Sequence, residues 1–211
     1  MKIIHRVVAT LLSMLLLTLC ITAHADGDFH EPEMVSIPGK NYALGKYEVT
    51  QAEWEAVMGN NPSHFKGANL PVEQVSWNNI QEYLKKLNQK TGKQYRLPKE
   101  SEWEYACYGG SKAEKYCGGN DINAVAWYGD NSDNRTHPVG QKQANGYGLY
   151  DMSGNVWERM EDCLAENCAQ HVVRGGSWND EPRGVRMTTR YEDVATDRDD
   201  DDGFRLARTL P

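Results

Sequence analysis

The pattern of hydrophobic and polar positions predicts regular elements in the first half of the chain. Residues 34–50 alternate and turn like a β-hairpin, with its turn at residues 39–41. Thr50 and Glu53 have the spacing of a capping box, which predicts a helix that runs to about Met58. We therefore expect the folded domain to begin with a hairpin followed by a helix.

A second and a third helix are predicted further along, after which the periodicity is lost. Ser76 caps a segment in which apolar side chains recur at helical spacing as far as Gly92. A short strand at residues 95–98 precedes a shorter helix that carries Trp103. From residue 111 onward, glycine, asparagine and aspartate punctuate short apolar pieces. The predicted class is α+β: two to three helices against a small, mostly antiparallel sheet, with much irregular loop.

The N-terminal residues have the features of a secretory signal peptide. A basic start precedes an apolar run at residues 7–21, and the small residues of a cleavage site follow at residues 23–25. The apolar run is shorter than the ~20 residues that a membrane span needs. We predict a signal peptide at 1–25, a flexible segment at 26–33 and one folded domain at 34–211. The mature protein is expected in the periplasm or outside the cell, with no membrane insertion after cleavage.

The charge of the chain excludes some classes of partner. The formal net charge is -7, and loss of the signal peptide removes two cations and no acid, so -7 - 2 gives about -9. An acidic exported protein is poorly suited to nucleic acid or anionic membrane surfaces, and it favours cationic partners. We expect a monomer that binds a protein or a small-molecule ligand.

Four cysteines follow the predicted cleavage site: Cys107, Cys117, Cys163 and Cys168. An even number in an oxidising compartment indicates disulfides, and three connectivities are open. Proximity along the chain favours Cys107–Cys117 and Cys163–Cys168. The alternative is a functional thiol.

Six phrases, in this order, resemble one family: "YEVTQAEW", "LPVEQVSWNNIQEYLKKLN", "YRLPKESEWEYAC", "HPVGQKQANGYGLYDMSGNVWE", "VVRGGSW" and "GFRLA". The family is that of the formylglycine-generating enzymes, or sulfatase-modifying factors, and the match covers about residues 33–208. The resemblance implies an elaborated C-type-lectin-like fold with little regular structure. It does not by itself imply activity, because one fold supports many functions.

The oxidases of this family convert a cysteine of a client sulfatase to formylglycine with copper(I) and oxygen. The resemblance places their cysteine pair just after the "RGGSW" turn, at C-x4-C spacing, where this chain has Asp180 and Val185. Copper(I) is a soft ion that prefers thiolates to carboxylates or alkyl groups, so we do not expect copper here. Cys163 and Cys168 have the same spacing before the turn, which leaves a relocated copper site as an alternative.

The resemblance also implies a structural calcium ion in the loop "YDMSGNVWE". Carried over residue by residue, Asp151 and Glu158 offer carboxylates, and Gly154 and Val156 offer backbone carbonyls. Hard oxygen ligands around a glycine turn are what calcium prefers. The alternative is an ordinary turn without metal.

The segment between "RGGSW" and "GFRLA" is rich in Arg, Tyr, Asp and Trp, a composition typical of binding surfaces. We interpret the protein as a ligand- or protein-binding module that is not an active oxidase. The alternatives are an oxidoreductase that modifies a protein cysteine or a small molecule, and a solvated rim whose arginines pair internally. The predicted contact residues are Trp178, Asn179, Arg183, Arg186, Arg190 and Tyr191.

Overall fold

A computed structural model describes residues 29–163 and 168–211. The predicted signal peptide therefore lies outside the described residues. From Phe29 the chain contacts the domain: Phe29 packs on a core cluster, Glu33 pairs with Lys46, and Glu31 pairs with Lys93. Flexibility of 26–33 stays a prediction. In the described part of the chain, no helix is long and apolar enough to cross a membrane.

In the residues that the structure describes, eight strands form two four-stranded sheets. They are β1 Met34–Ser36, β2 Tyr42–Gly45, β3 Tyr95–Arg96, β4 Trp157–Cys163, β5 Gln170–Arg174, β6 Arg190–Val194, β7 Asp202–Gly203 and β8 Ala207–Thr209. The first sheet has the order β1-β2-β8-β3 and is antiparallel throughout. The second has the order β6-β5-β4-β7, and its β4–β7 pair is parallel. The single sheet expected from the sequence is thus divided in two.

The helices are α1 Gln51–Met58, α2 Trp77–Thr91, α3 Glu100–Cys107 and α4 Ile122–Val125. Both halves of the predicted capping box are formed, because Thr50 accepts from the Glu53 amide and Glu53 accepts from the Thr50 amide. Gly59 and Gly92 end α1 and α2 in the left-handed conformation that favours glycine. The α+β prediction is confirmed, with α4 as a fourth, one-turn helix.

The core links the early helices to the C-terminal strands. Trp54 stacks on Tyr83 with 5.1 Å between ring centroids, and both contact Phe204 edge-on. Phe204 follows β7, so the C-terminal segment completes the core that α1 and α2 begin. The favoured disulfides are both present, Cys107–Cys117 within one core cluster and Cys163–Cys168 after β4.

Candidate functional site

The turn after β5 fixes the two positions where the resemblance places cysteines. The Asp180 carboxylate accepts from the Ser177 amide at 2.8 Å and from its hydroxyl at 2.9 Å. Val185 is fully buried in a small apolar cluster with Tyr128. One position is therefore an acid tied to the turn and the other is core, so neither offers a ligand that copper(I) prefers.

The cysteines give no substitute pair in this structure. All four cysteines of the described residues are oxidised, with Sγ–Sγ distances of 2.03 Å for Cys107–Cys117 and 2.01 Å for Cys163–Cys168. A disulfide sulfur is neither a thiolate nucleophile nor a thiolate ligand. A relocated copper site would first require reduction of the second disulfide.

Two adjacent pockets open on the C-terminal face, and Asp180 and Tyr191 line both of them. The outer pocket has a volume of about 420 Å³ and includes Arg183 and Thr189. The second, which we call the acidic pocket, has a volume of about 270 Å³. Its lining residues are Trp157, Val173, Asp180, Tyr191, Asp193, Asp199, Asp201 and Asp202.

A buried arginine is the counter-charge of the acidic pocket. Arg159 is fully buried and donates to Asp193 and, at 2.8 Å, to Asp202. Ligand oxygens of Asp193, Asp199 and Asp202 lie within 4.8 Å of one another. More carboxylates than cations meet here, so the pocket has a negative potential.

The protonation of this pocket reflects its crowding. Burial raises the pKa of Asp202 well above its ordinary value, and Asp201 and Asp193 add to the rise against the opposing effect of Arg159. Burial, followed by neighbouring aspartates, also raises the pKa values of Asp199 and Asp201. A cation in the pocket would relieve this repulsion.

The structure brings only some of the predicted contact residues to the pockets. Arg183 lines the outer pocket, and Tyr191, whose side chain is 59% exposed, lines both. Trp178 and Asn179 instead hold the aspartate run: the Trp178 indole donates to the Asp200 carbonyl at 3.1 Å, and the Asn179 amide donates to Asp201 at 3.1 Å.

The two remaining predicted contact residues lie outside both pockets. Arg190 donates to Glu100 and Glu192, so it is engaged within the domain. Arg186 is exposed and is absent from the lining of either pocket.

Sequence reasoning missed the aromatic wall and the acids of the pocket: Trp157, Asp193, Asp199, Asp201 and Asp202. The signal for three of them was visible, because the aspartate run crowds the segment before "GFRLA". Pairing of β4 with β7, which brings Trp157 beside Asp202, could not be derived from local periodicity.

The predicted calcium loop contains two carboxylates in very different states. Both Glu158 oxygens accept from Arg205 at 2.6 Å, and Trp103 donates to one of them at 2.8 Å. Asp151 is buried; its Oδ2 accepts from the Gly140 amide at 2.7 Å, and its Oδ1 is buried without a partner. Asp151 thus offers a free oxygen, whereas Glu158 is occupied by protein donors.

The backbone of the predicted calcium loop is fixed at Gly154 and Val156. Gly154 is held at φ +81°, and a Cβ there would lie 2.1 Å from the Trp127 carbonyl oxygen, so only glycine fits. Val156 uses its amide to donate to Glu48 at 3.1 Å.

Glu48 is a third acid of this region that sequence reasoning missed. Glu48 also accepts from the side-chain amide of Asn155 at 2.6 Å. Burial, then the charges of Asp151 and Glu158, raises the pKa of Glu48 well above its ordinary value, and burial raises that of Asp151 to about 6. Three buried carboxylates face one arginine, an excess of negative charge that suits a hard cation.

The architecture is shared with solved structures. The chain resembles Treponema denticola variable protein 1 with a TM-score of 0.76 and 30% sequence identity, over 87% of this chain and 93% of that one. It resembles PvdO from Pseudomonas aeruginosa with a TM-score of 0.70 and 26% identity, over 85% and 92% of the two chains. The fold is that of the formylglycine-generating enzymes.

Residues 21–210 match the Sulfatase-modifying factor enzyme 1-like domain, and the chain belongs to this family. It is 32% identical over 225 residues to a protein named Chaperone protein LppX from Paenibacillus barcinonensis, covering 80% of each. It is 33% identical over 177 residues to Inactive C-alpha-formylglycine-generating enzyme 2 of Bos taurus, covering 75% of this chain and 57% of the bovine protein. The chain thus spans just over half of that bovine relative.

Proposed function

We propose that the protein is an exported binding module that holds a cationic group of its ligand in the acidic pocket. The observation that carries this proposal is the lining of that pocket, where five aspartates accompany Trp157 and Tyr191. A protein of net charge -7 attracts cations at long range, and the pocket concentrates that attraction.

The aromatic pair Trp157 and Tyr191 favours an organic cation as the ligand over a metal ion alone. The rings of Trp157 and Tyr191 meet edge-on with 5.2 Å between centroids, and Tyr191 leaves most of its side chain exposed. Guanidinium and ammonium groups bind favourably over such ring faces while carboxylates accept their N–H donors. A lysine or arginine side chain of a partner protein has this chemistry, and the relative named as a chaperone agrees with a protein ligand.

The pocket is tested by titration with N-acetylarginine amide and with its neutral counterpart N-acetylglutamine amide. We expect saturable binding of the first alone, weakened by salt because the aspartates are partly exposed. Tyr191→Ala removes one aromatic ring from the lining of the acidic pocket and should weaken binding. Tyr108→Ala changes a tyrosine outside the pocket and should not weaken binding. Equal binding of both amides, or of both variants, would refute the proposal.

Loss of the oxidase activity is part of the same proposal. Asp180 and Val185 stand where the resemblance expects thiols, and a relative at 33% identity is itself named inactive. Mass spectrometry of the mature protein after alkylation without reduction tests this. No alkylation supports the binding module. Two alkylated cysteines, protected by copper(I), would support the alternative oxidoreductase with a relocated site at Cys163 and Cys168.

We also propose that calcium binds beside Asp151. The fit rests on its buried, unpartnered Oδ1, an oxygen donor of the kind calcium prefers, and on the negative charge of the nearby Glu48 carboxylate, whose oxygens accept from Asn155 and Val156. Bound calcium would neutralise the excess charge and fix the loop that runs into β4, with Gly154 and Val156 as the carbonyl donors that the resemblance implies. Glu158 keeps its arginine partner in this proposal.

Export is supported by the two disulfides, since such bonds persist in oxidising compartments. We expect fractionation to place the protein outside the cytoplasm, with Asp26 as its first residue. Recovery of the protein in the cytoplasmic fraction with residues 1–25 still attached would contradict both the export and the cleavage before Asp26.

A further inference from the structure

A third pocket, away from the acidic one, has the opposite electrostatic character. It has a volume of about 570 Å³ and is lined by residues 66–70 on one wall and by Asp133 and residues 135–138 on the other. Lys66 and Arg135 bring two positive charges against the single carboxylate of Asp133. We call it the basic pocket.

The two cations of the basic pocket are not used in ion pairs. Lys66 donates to the Asn61 carbonyl at 3.0 Å, and the Arg135 guanidinium lies 5.9 Å from the Phe65 ring centroid. In residues 29–163 and 168–211, neither has a carboxylate within salt-bridge distance, although the chain has 30 acids and 23 lysines and arginines. Both charges remain available to a ligand.

Buried polar side chains hold the first wall in place. Gln51 donates to the Phe65 carbonyl at 2.8 Å and accepts from the Gly67 amide at 3.1 Å. The buried Glu73 carboxylate accepts from the amides of His64 and Phe65 at 2.8 and 2.9 Å. The wall that carries Lys66 is therefore fixed before any ligand arrives, which lowers the entropic cost of binding.

The second wall is fixed in the same way. The fully buried Asn155 accepts from the His137 amide at 2.9 Å, and the His137 ring N–H donates to the Ser132 carbonyl at 2.7 Å. A backbone bond of 3.0 Å from the Val139 amide to the Asn69 carbonyl joins this wall to the first. Hydrogen bonds within the domain therefore hold both walls of this open pocket.

One buried group of the second wall lacks a partner. Thr136 lines the pocket, is 1% exposed, and its hydroxyl has no hydrogen-bond partner. Buried hydroxyls without partners are uncommon and unfavourable. Because the hydroxyl oxygen is itself buried, it is not a contact that a ligand in the pocket would reach.

We propose that the basic pocket binds a small organic anion, whose carboxylate or phosphate pairs with Arg135 and Lys66 and whose apolar part lies on Leu70 and Pro138. The volume lies within the usual range of small-molecule sites, about 300–1,000 Å³. Arginine and lysine donors in a fixed cavity recognise carboxylate and phosphate oxygens through charge-assisted hydrogen bonds. The site is independent of the acidic pocket and of the function proposed for it.

The test is a nuclear magnetic resonance titration of the full mature protein with benzoate, phenyl phosphate and neutral benzamide at constant ionic strength. We expect the two anions to shift amide resonances of both walls in a saturable way, and benzamide to have no such effect. The stronger of the two anions identifies the headgroup. No saturable shift, or an equal shift with benzamide, overturns the proposal.

Two variants and a control locate the effect. Arg135→Gln should weaken anion binding about tenfold, because a charge-assisted contact is lost. Lys85→Gln removes an equal charge from an exposed position of α2 and should leave affinity unchanged. Lys66→Gln, which removes the second cation of the pocket, should weaken binding about threefold. An unaffected Arg135→Gln, or an equal loss in Lys85→Gln, overturns the proposal.

Discussion

Two regions of this protein have the same composition and opposite environments. Around Arg205, three carboxylates meet in the core: Glu158, Glu48 and Asp151. Around Arg159, a second set extends from the interior to the surface: Asp202 is buried, Asp193 is half-buried and Asp199 is exposed. Both arginines are fully buried, so the difference lies in what the acids can reach.

The Arg205 region is closed, and its arginine is saturated. Arg205 binds both oxygens of Glu158 and donates further to the carbonyls of Gly45 and Tyr150 at 3.0 and 2.9 Å. These bonds join β2, β4 and the C-terminal segment, so this region holds the fold together. Its Glu158 lies on β4 between Trp157, which lines the acidic pocket, and Arg159.

The Arg159 region is open, and its acids line the cavity. Asp199 is exposed, and Arg159 keeps one buried nitrogen, Nε, without a partner. The same group of charges is therefore closed off from water in one region and open to a cavity in the other, where we propose that a ligand binds. This comparison predicts that substitutions in the first region act on stability and those in the second on binding.

The largest effect is expected for Glu158→Gln. The substitution removes the carboxylate that is hydrogen-bonded to the buried Arg205, at a cost of about 3–5 kcal/mol in the free energy of unfolding. The matched change Asp193→Asn should cost about 1 kcal/mol, since Arg159 retains Asp202 and its site is partly solvated. Urea unfolding measures both. Equal losses would show that the two regions are not different in kind.

The next effect separates Asp151 from Glu158 within the closed region. Calcium at a hundred times its dissociation constant should stabilise the mature protein by about 2.7 kcal/mol, and a chelator should reverse this. Asp151→Asn should abolish the response, because the free oxygen is lost. The control Glu82→Gln on α2 should retain it. A calcium response that survives in Asp151→Asn would refute the proposed ligand.

The sequence predicted the local elements well and the contacts that build the closed and open regions poorly, for physical reasons. Capping boxes and helical spacing are local, so α1 and α2 were located to within a residue from Thr50 and Ser76. The Arg159 pocket depends on β4 pairing with β7, contacts more than 40 residues apart that leave no periodic trace. The alternating pattern predicts that Glu48 continues the hairpin strand, but β2 ends at Gly45 and Glu48 instead accepts from Asn155 and Val156, which are 107 and 108 residues away.

In the open region, Asp199→Asn should weaken binding of N-acetylarginine amide about fivefold, since a partly exposed charge contact is worth less than a buried one. The pKa values of Asp199, Asp201 and Asp202 are all raised. Each therefore protonates at a higher pH than an ordinary aspartate, whose pKa is 3.8. As the pH is lowered, the affinity for the cation should begin to fall while the pH is still above 3.8. Calorimetric titrations at several pH values measure this. Affinity that stays constant until below pH 3.8 would contradict it.

The smallest effect is on stability in the same region, and its sign is informative. A carboxylate whose pKa is raised on folding contributes stability below its unfolded pKa, and this is lost as pH rises through the folded value. Asp199→Asn should therefore match the parent protein near pH 3 and exceed it by a few tenths of a kcal/mol at pH 7, because solvent screens most of the repulsion. Thermal unfolding at the two pH values measures the difference. A variant less stable than the parent at pH 7 would mean that Asp199 supports the fold, and the division between a closed region for stability and an open region for binding would fail there.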